Sequence, residues 1–328
     1  MAFGVPTRRI RIVVQTSLFA LWASLIYVTH YPMQSALAQL VPVSLFLRID
    51  PLVMTVVMGG MRVGVTILLL GFVTLAVSLL LGRVFCGWVC PLGALFDFTS
   101  WTMALMKLRH FGPSPRWYRA KFYILGAILL FAAFGSFSPL IGLDPVVLLT
   151  RVAAAVLQPF GRAPVPVQWS IGESPKYLGH FISFSSLFLF VGIMFYTTKV
   201  SRIWCRTACP LGAYLATTSR YSVLRRETSQ CIHCNICSAN CPTGAIDFKN
   251  PEVYTESECV KCFVCSDVCP VDANFFAIRS PLKANDKHGE VVQLERRAFV
   301  ATAVTTLAAA PLMRLEAGVP GNSKTLLR

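Results

Sequence analysis

Charge is what this chain has least of. Of its 328 residues only 14% are charged, and the 15 acidic side chains are half as many as the 30 basic ones. Soluble domains carry about 25% charged residues, so this composition argues against an ordinary water-soluble domain. The mean hydropathy of +0.61 points the same way. The net charge is +15, but the basic residues flank apolar runs and form no patch, which speaks against nucleic-acid binding. No apolar run carries a charge at its middle, which disfavours a transporter. Histidine is also scarce, with five in all. His30 and His180 lie at ends of apolar runs, where an interfacial side chain is the simpler reading than a quinone or haem ligand. His110 and His288 lie in polar stretches. A small-residue cleavage site is missing after Arg8, Arg9 and Arg11, so the first apolar run is expected to be an anchor, not a cleaved signal.

Cysteine, by contrast, is abundant, with twelve residues. Eight fall in two runs of the form C-x2-C-x2-C-x3-C-P. The first is Cys231, Cys234, Cys237 and Cys241, the second Cys259, Cys262, Cys265 and Cys269. In bacterial ferredoxins of this spacing, three close thiolates hold one cubane and the fourth Cys of the run ligates the other. Two [4Fe–4S] clusters are therefore expected, one on Cys231, Cys234, Cys237 and Cys269, the other on Cys259, Cys262, Cys265 and Cys241. A zinc site wants ligands in pairs, and disulfides have no reason to repeat this spacing. Pro242 and Pro270 turn the chain away after each run. Ala245, Ile246, Phe248, Ala273, Phe275 and Phe276 are expected to shield the sulfurs. His233, inside a cluster loop, is expected to tune potential or to be exposed, since four Cys already satisfy the irons.

Crossing a bilayer core of about 30 Å takes about 20 apolar residues. Four runs qualify: Ile12 to Tyr31, Val63 to Gly82, Phe122 to Leu143 and Phe181 to Val200. Lys and Arg crowd the segments before the first run, between the second and third, and after the fourth. The positive-inside rule then puts the N-terminus, the middle loop and the ferredoxin unit in the cytoplasm.

An internal duplication carries the other four cysteines. Arg83-Val-Phe-Cys86-Gly-Trp-Val-Cys90-Pro91-Leu-Gly-Ala94 reappears as Arg202-Ile-Trp-Cys205-Arg-Thr-Ala-Cys209-Pro210-Leu-Gly-Ala213. Ile49-Asp50-Pro51 is echoed by Leu143-Asp144-Pro145. Both copies run the same way, as in parallel membrane repeats about an axis along the membrane normal. At i and i+4 on a helix two thiols face one side. One pair cannot complete a cubane, but two pairs can supply four thiolates. The alternatives are a dithiol relay in each copy, or structural cysteines at a helix start. Asp50 and Asp144 read first as helix caps followed by Pro at N1, and second as proton acceptors.

In its two C-x3-C-P motifs, four apolar runs and double cluster run, the chain resembles the NapH/MauN-type membrane ferredoxins, a quinol dehydrogenase family related to the electron-transfer units of NosR and CcoG. The resemblance covers residues 8 to 280. It implies a bacterial cytoplasmic (inner) membrane protein that passes electrons from quinol through Fe–S centres to a redox partner, a periplasmic ferredoxin being one candidate. Cys86, Cys90, Cys205 and Cys209 would be the reacting site. A CcoG-like assembly factor, reducing a metal or thiol on a client protein, is the alternative. Near the C-terminus, Glu295-Arg296-Arg297 precedes a short apolar run. It resembles a twin-arginine export signal, as in the front part of a NapH–NapG-like fusion, or else forms a fifth short apolar helix.

The expected architecture is an all-α membrane bundle over residues 1–220, with four spans and an internal duplication. A small α+β bacterial-type ferredoxin domain with two [4Fe–4S] clusters follows over 221–285, then a linker with the twin-arginine-like segment over 286–328.

Overall fold

The structure, a computed structural model, describes residues 7–30, 45–61, 69–106, 118–134, 142–157 and 176–278. The twin-arginine-like segment, His110 and His288 lie outside the described residues. The chain is mostly helical. Helix α1 is Thr7–His30, a short α2 is Leu45–Ile49, α3 is Pro51–Met61 and α4 is Leu69–Leu81. A π-helical turn, Phe85–Val89, leads into α5, Pro91–Leu105. Then come α6 (Ala120–Ala133), α7 (Pro145–Leu157), α8 (Lys176–Lys199), α9 (Ile203–Thr207) and α10 (Pro210–Ser219).

Sequence logic accounts for the helix starts. Asp50 and Asp144 cap α3 and α7, with Pro51 and Pro145 at the first helical position, where a missing N–H costs nothing. Asp50 Oδ1 accepts from the backbone of Leu52 at 2.9 Å and Val53 at 3.3 Å. Asp144 Oδ1 accepts from Val146 at 3.0 Å and Val147 at 3.4 Å.

The duplication read from the sequence organises the packing. One repeat is α1, α3, α4 and α5; the other is α6, α7, α8 and α10. Helix α3 packs on α4, α6 and α10, and its counterpart α7 packs on α8, α1 and α5. Likewise α5 packs on α8 while α10 packs on α4. Each contact in one repeat thus has a partner in the other, as a pseudo-two-fold requires. One continuous core results, with Leu52, Phe96, Ile128, Val146, Leu148 and Leu211 fully buried.

Among the described residues one helix is long and apolar enough to cross a membrane by length and composition, Arg9–Tyr27 within α1. Shorter apolar helices, Leu70–Leu81, Ala120–Ala133 and Phe184–Lys199, overlap the other three expected runs. They carry large apolar side chains on the outside, among them Val73 (58% exposed), Tyr123 (71%), Phe188 (77%) and Phe195 (65%).

The cysteine-rich unit is small. Strand β1, Leu224–Thr228, pairs antiparallel with β2, Asn274–Ile278, with Leu224 opposite Ile278 and Thr228 opposite Asn274. Between them lie two single-turn helices, α11 (Ile236–Ala239) and α12 (Val264–Asp267), and a 3₁₀ turn, Glu256–Glu258.

Candidate metal centres

The two cluster runs fold as equivalent loops. His233 and Asn235 in the first and Lys261 and Phe263 in the second all have positive φ, between 51° and 60°. This left-handed conformation is unusual for such side chains. It wraps the backbone around a common centre and turns successive cysteines inward. The loops close two cavities. One is lined by Cys259, Cys262 and Cys265 together with Cys241, and by Ile246, Tyr254 and Phe276. The other is lined by Cys231, Cys234 and Cys237 together with Cys269. Each cavity thus gathers three thiols from one run and the fourth from the other. The donor set, four sulfurs around a small, largely apolar space, fits a [4Fe–4S] cluster. Burial pushes the Cys259 thiol up to about 12, with Glu256 adding and Lys261 opposing. A buried thiol of this kind is a thiolate only with a metal's charge beside it.

Much of the expected shield is in place. Ala245, Ile246 and Ala273 are buried and Phe276 lines a cavity. Phe248 and Phe275 are not part of it: they are 64% and 42% exposed. Phe275 lies in β2 on the face opposite Phe276, and Phe248 lies at a bend. His233 is exposed and meets Glu252 at 3.5 Å.

Cys86, Cys90, Cys205 and Cys209 are all buried in the one core that both repeats share. The two thiols of a pair are not on one helix, as the i, i+4 reading supposes. Cys86 lies in the π-turn and Cys205 in α9, while Cys90 and Cys209 are the N-caps of α5 and α10. Cys209 Sγ accepts from Gly212 N at 3.2 Å. A helix N-terminus favours a thiolate. The four thiols nevertheless crowd one place. Burial raises Cys90 and Cys209, and in both the charges of Cys86 and Cys205 raise them further. Burial pushes Cys205 up to about 11 against the pull of Arg202, with Cys86 adding to the rise.

Two arginines cross between the repeats. Arg202, fully buried, donates through Nη1 to the Cys86 carbonyl at 3.1 Å. Arg83 lies against Gly212, where an added Cβ would stand 2.9 Å from Nη2. Gly212 thus makes room for an arginine of the other repeat, and Gly93 makes room for the backbone of its own. At Gly93 a Cβ would meet the Cys86 carbonyl oxygen at 2.8 Å.

The acids that balance these arginines break the symmetry. Asp97 grips Arg202 at 3.0 and 2.6 Å and Arg11 at 2.8 Å, and accepts from Gln15 at 2.8 Å. The equivalent residue of the second repeat is Ala216. There the acid comes from the cysteine-rich unit: Glu258 receives Arg83 at 3.2 Å and Lys121 at 2.6 Å. Trp88 Nε1 donates to the Lys261 carbonyl at 3.0 Å, and Arg11 to the Cys262 carbonyl at 3.4 Å. The loop of the second cluster run is therefore clamped directly over the four-thiol site.

Sequence reasoning read Arg83 and Arg202 only as part of a repeat, and did not find Asp97, Glu258 or Arg226. Arg226 is buried on the cavity of Cys259, Cys262 and Cys265, and reaches Cys237 of the other set at 3.9 Å. The available signal for Glu258 was the missing acid at Ala216.

Comparison with known proteins finds iron–sulfur families and relatives. A family described as "4Fe-4S binding domain" matches residues 63–124 and 182–228. The cysteines in those segments are Cys86, Cys90, Cys205 and Cys209. A family described as "4Fe-4S dicluster domain" matches residues 230–273. Regulatory protein NosR of Stutzerimonas stutzeri is 31% identical over 55% of this chain and 23% of its own length. The methylamine utilization ferredoxin-type protein MauN is 26% identical in Methylobacillus flagellatus, over 49% of this chain and 48% of MauN. In Paracoccus denitrificans it is 26% identical over 58% and 56%. The chain spans about half the length of these MauN proteins and about a quarter of NosR. No solved structure matches it. Its 4Fe-4S domain matches and these relatives are consistent with a NapH/MauN-type membrane ferredoxin.

Proposed function

We propose that this protein is a quinol dehydrogenase-like conduit, carrying electrons one at a time between the membrane quinone pool and a redox partner. In this reading residues 1–220 form a four-span membrane domain, with the N-terminus and the ferredoxin unit of residues 221–285 on the cytoplasmic face. The apolar side chains exposed on α1, α4, α6 and α8 support membrane embedding. Cys259, Cys262, Cys265 and Cys241 hold an inner [4Fe–4S] cluster; Cys231, Cys234, Cys237 and Cys269 hold an outer one. Cys86, Cys90, Cys205 and Cys209 hold a further metal centre.

The observation that carries the reading is the stacking of these sites. The four-thiol site is buried between the repeats, and the segment of Ser257 to Phe263 is held against the helices by Arg83, Arg11 and Trp88. The outer set opens to solvent, with Cys234 exposed. Such an order suits entry at the membrane and exit at the ferredoxin rim. The clusters would supply the one-electron chemistry; the protein supplies ligands, spacing and exclusion of water. Four thiolates at one place repel one another and need a metal to be tolerated. Arg83 and Arg202 hold positive charge beside them, and Arg226 does so between the inner and outer sets.

Anaerobically purified protein tests this by iron and sulfide analysis with electron paramagnetic resonance. The two ferredoxin clusters account for about eight irons and a third cubane brings the total to about twelve. Stoichiometric zinc without iron refutes the cluster assignment. Failure of a reduced quinol analogue to reduce any centre refutes the quinol role and returns the assembly-factor reading.

A further inference from the structure

Asp50 and Asp144 occupy equivalent positions in the two repeats, 94 residues apart (144 − 50), and both are fully buried. Their role as helix caps uses only one oxygen of each. Oδ1 of Asp50 serves α3 and Oδ1 of Asp144 serves α7. Oδ2 of each is buried with no donor from the surrounding protein. The two carboxyls are instead within hydrogen-bonding reach of each other. An ionised carboxylate only accepts, so this contact requires a proton, and like charges this close do not both ionise. A cap alone would be served as well by Asn; the facing Oδ2 atoms call for an acid.

The pair lies within electrostatic reach of the thiols. The charge of Asp144 acts on Cys209. The charge of Asp50 acts on Tyr214 of α10, and α10 packs on α3. The other charged groups nearby in the chain are Arg48 of α2 and Arg151 of α7, whose guanidinium folds back beside Gly142.

We propose that Asp50 and Asp144 form a single proton-binding site that takes up one proton when the four-thiol site gains one electron. This rests on the reading that the four thiols hold a redox centre. Before the step the pair shares one proton and carries one negative charge. The electron comes from the quinol, or from dithionite in the test. The incoming proton comes from water and leaves both carboxyls neutral, so the buried region ends with the charge it began with. An uncompensated charge in such a region is costly, and neutralisation avoids the cost.

The experiment is a redox titration of the third paramagnetic centre in detergent-solubilised full-length protein at pH 6, 7 and 8. The expected result is a potential that falls by about 59 mV for each tenfold drop in proton concentration, the value for one proton per electron. Asp144→Asn and Asp50→Asn keep a capping oxygen and should each flatten that dependence. Infrared difference spectra of the unaltered protein provide a second measurement that needs no variant. Reduction should change a carboxylic C=O band that shifts in D2O. A third centre whose potential ignores pH, or an unchanged carboxyl region on reduction, overturns this proposal alone. A slope retained in both Asn variants overturns the assignment to this pair. Absence of any third centre overturns the four-thiol reading first, and the coupling with it.

Discussion

Asp97→Asn is the most informative single change. Asp97 is the only acid gripping Arg202 among the described contacts, in a two-pronged bond at 3.0 and 2.6 Å, and it also neutralises Arg11. The Arg202 side chain is 0% exposed and that of Arg11 8%. Asn keeps the shape and one carbonyl acceptor but leaves two guanidiniums buried without a counter-charge. Breaking a buried pair by removing one partner costs about 3–5 kcal/mol. Each 1.4 kcal/mol is about tenfold, so the folded-to-unfolded ratio should fall by at least a hundredfold. The damage should be local first: Arg202 holds the Cys86 carbonyl and Arg11 the Cys262 carbonyl. Denaturant unfolding of the solubilised protein, followed by tryptophan fluorescence, reads the loss. Iron analysis reads whether the four-thiol site fails before the ferredoxin unit. The pH dependence gives an independent check. Burial by itself would raise the Asp97 carboxyl, but the Arg202 and Arg11 charges, with hydrogen bonds from Arg202 and Gln15, outweigh it and hold it below its usual 3.8. A depressed folded value contributes stability that is fully present above the unfolded value and is lost as pH falls through the folded one. The wild type should therefore lose this contribution below about pH 4, and Asp97→Asn should lack that acid-sensitive part. A variant within 0.5 kcal/mol of wild type, about the spread of neutral surface changes, would refute the reasoning.

Other outcomes follow from the same geometry. Cys241→Ser should cost the cluster associated with Cys259, Cys262 and Cys265 while its own neighbours Cys231, Cys234 and Cys237 keep theirs, leaving about four fewer irons. Glu258→Gln should strand Arg83 and Lys121 and loosen the ferredoxin unit from the helices, seen as faster proteolysis between residues 219 and 231. Gly93→Ala pushes a methyl onto the Cys86 carbonyl and should cost about 1–3 kcal/mol, the usual range for overpacking, in the same unfolding assay. Reporter fusions after Lys107 and Arg226 should read cytoplasm and those near Glu173 the far side; the reverse at residue 107 overturns the charge-based topology.

Much of this protein can be read without coordinates because its signals are local or repeated. A C-x2-C-x2-C-x3-C-P run draws its meaning from chemistry within a dozen residues, so the family and the cluster chemistry were legible, and the cavities gather Cys241 and Cys269 with the runs opposite to their own. The duplication was legible because two copies of R-x-(F/W)-C-x3-C-P-L-G-A stand in one chain. Asp-Pro already spelled a helix start. What sequence could not decide is which side chain crosses between copies, because that depends on distance through the core and not along the chain. Arg202 meets Asp97 across 105 residues and Arg83 meets Glu258 across 175. The acid absent at Ala216 is supplied by the cysteine-rich unit, an asymmetry that is visible only once the two repeats are packed. The pairing of Asp50 and Asp144 is of the same kind: each alone is a cap, and only packing about the pseudo-two-fold brings two buried, unpartnered carboxyl oxygens within reach of each other.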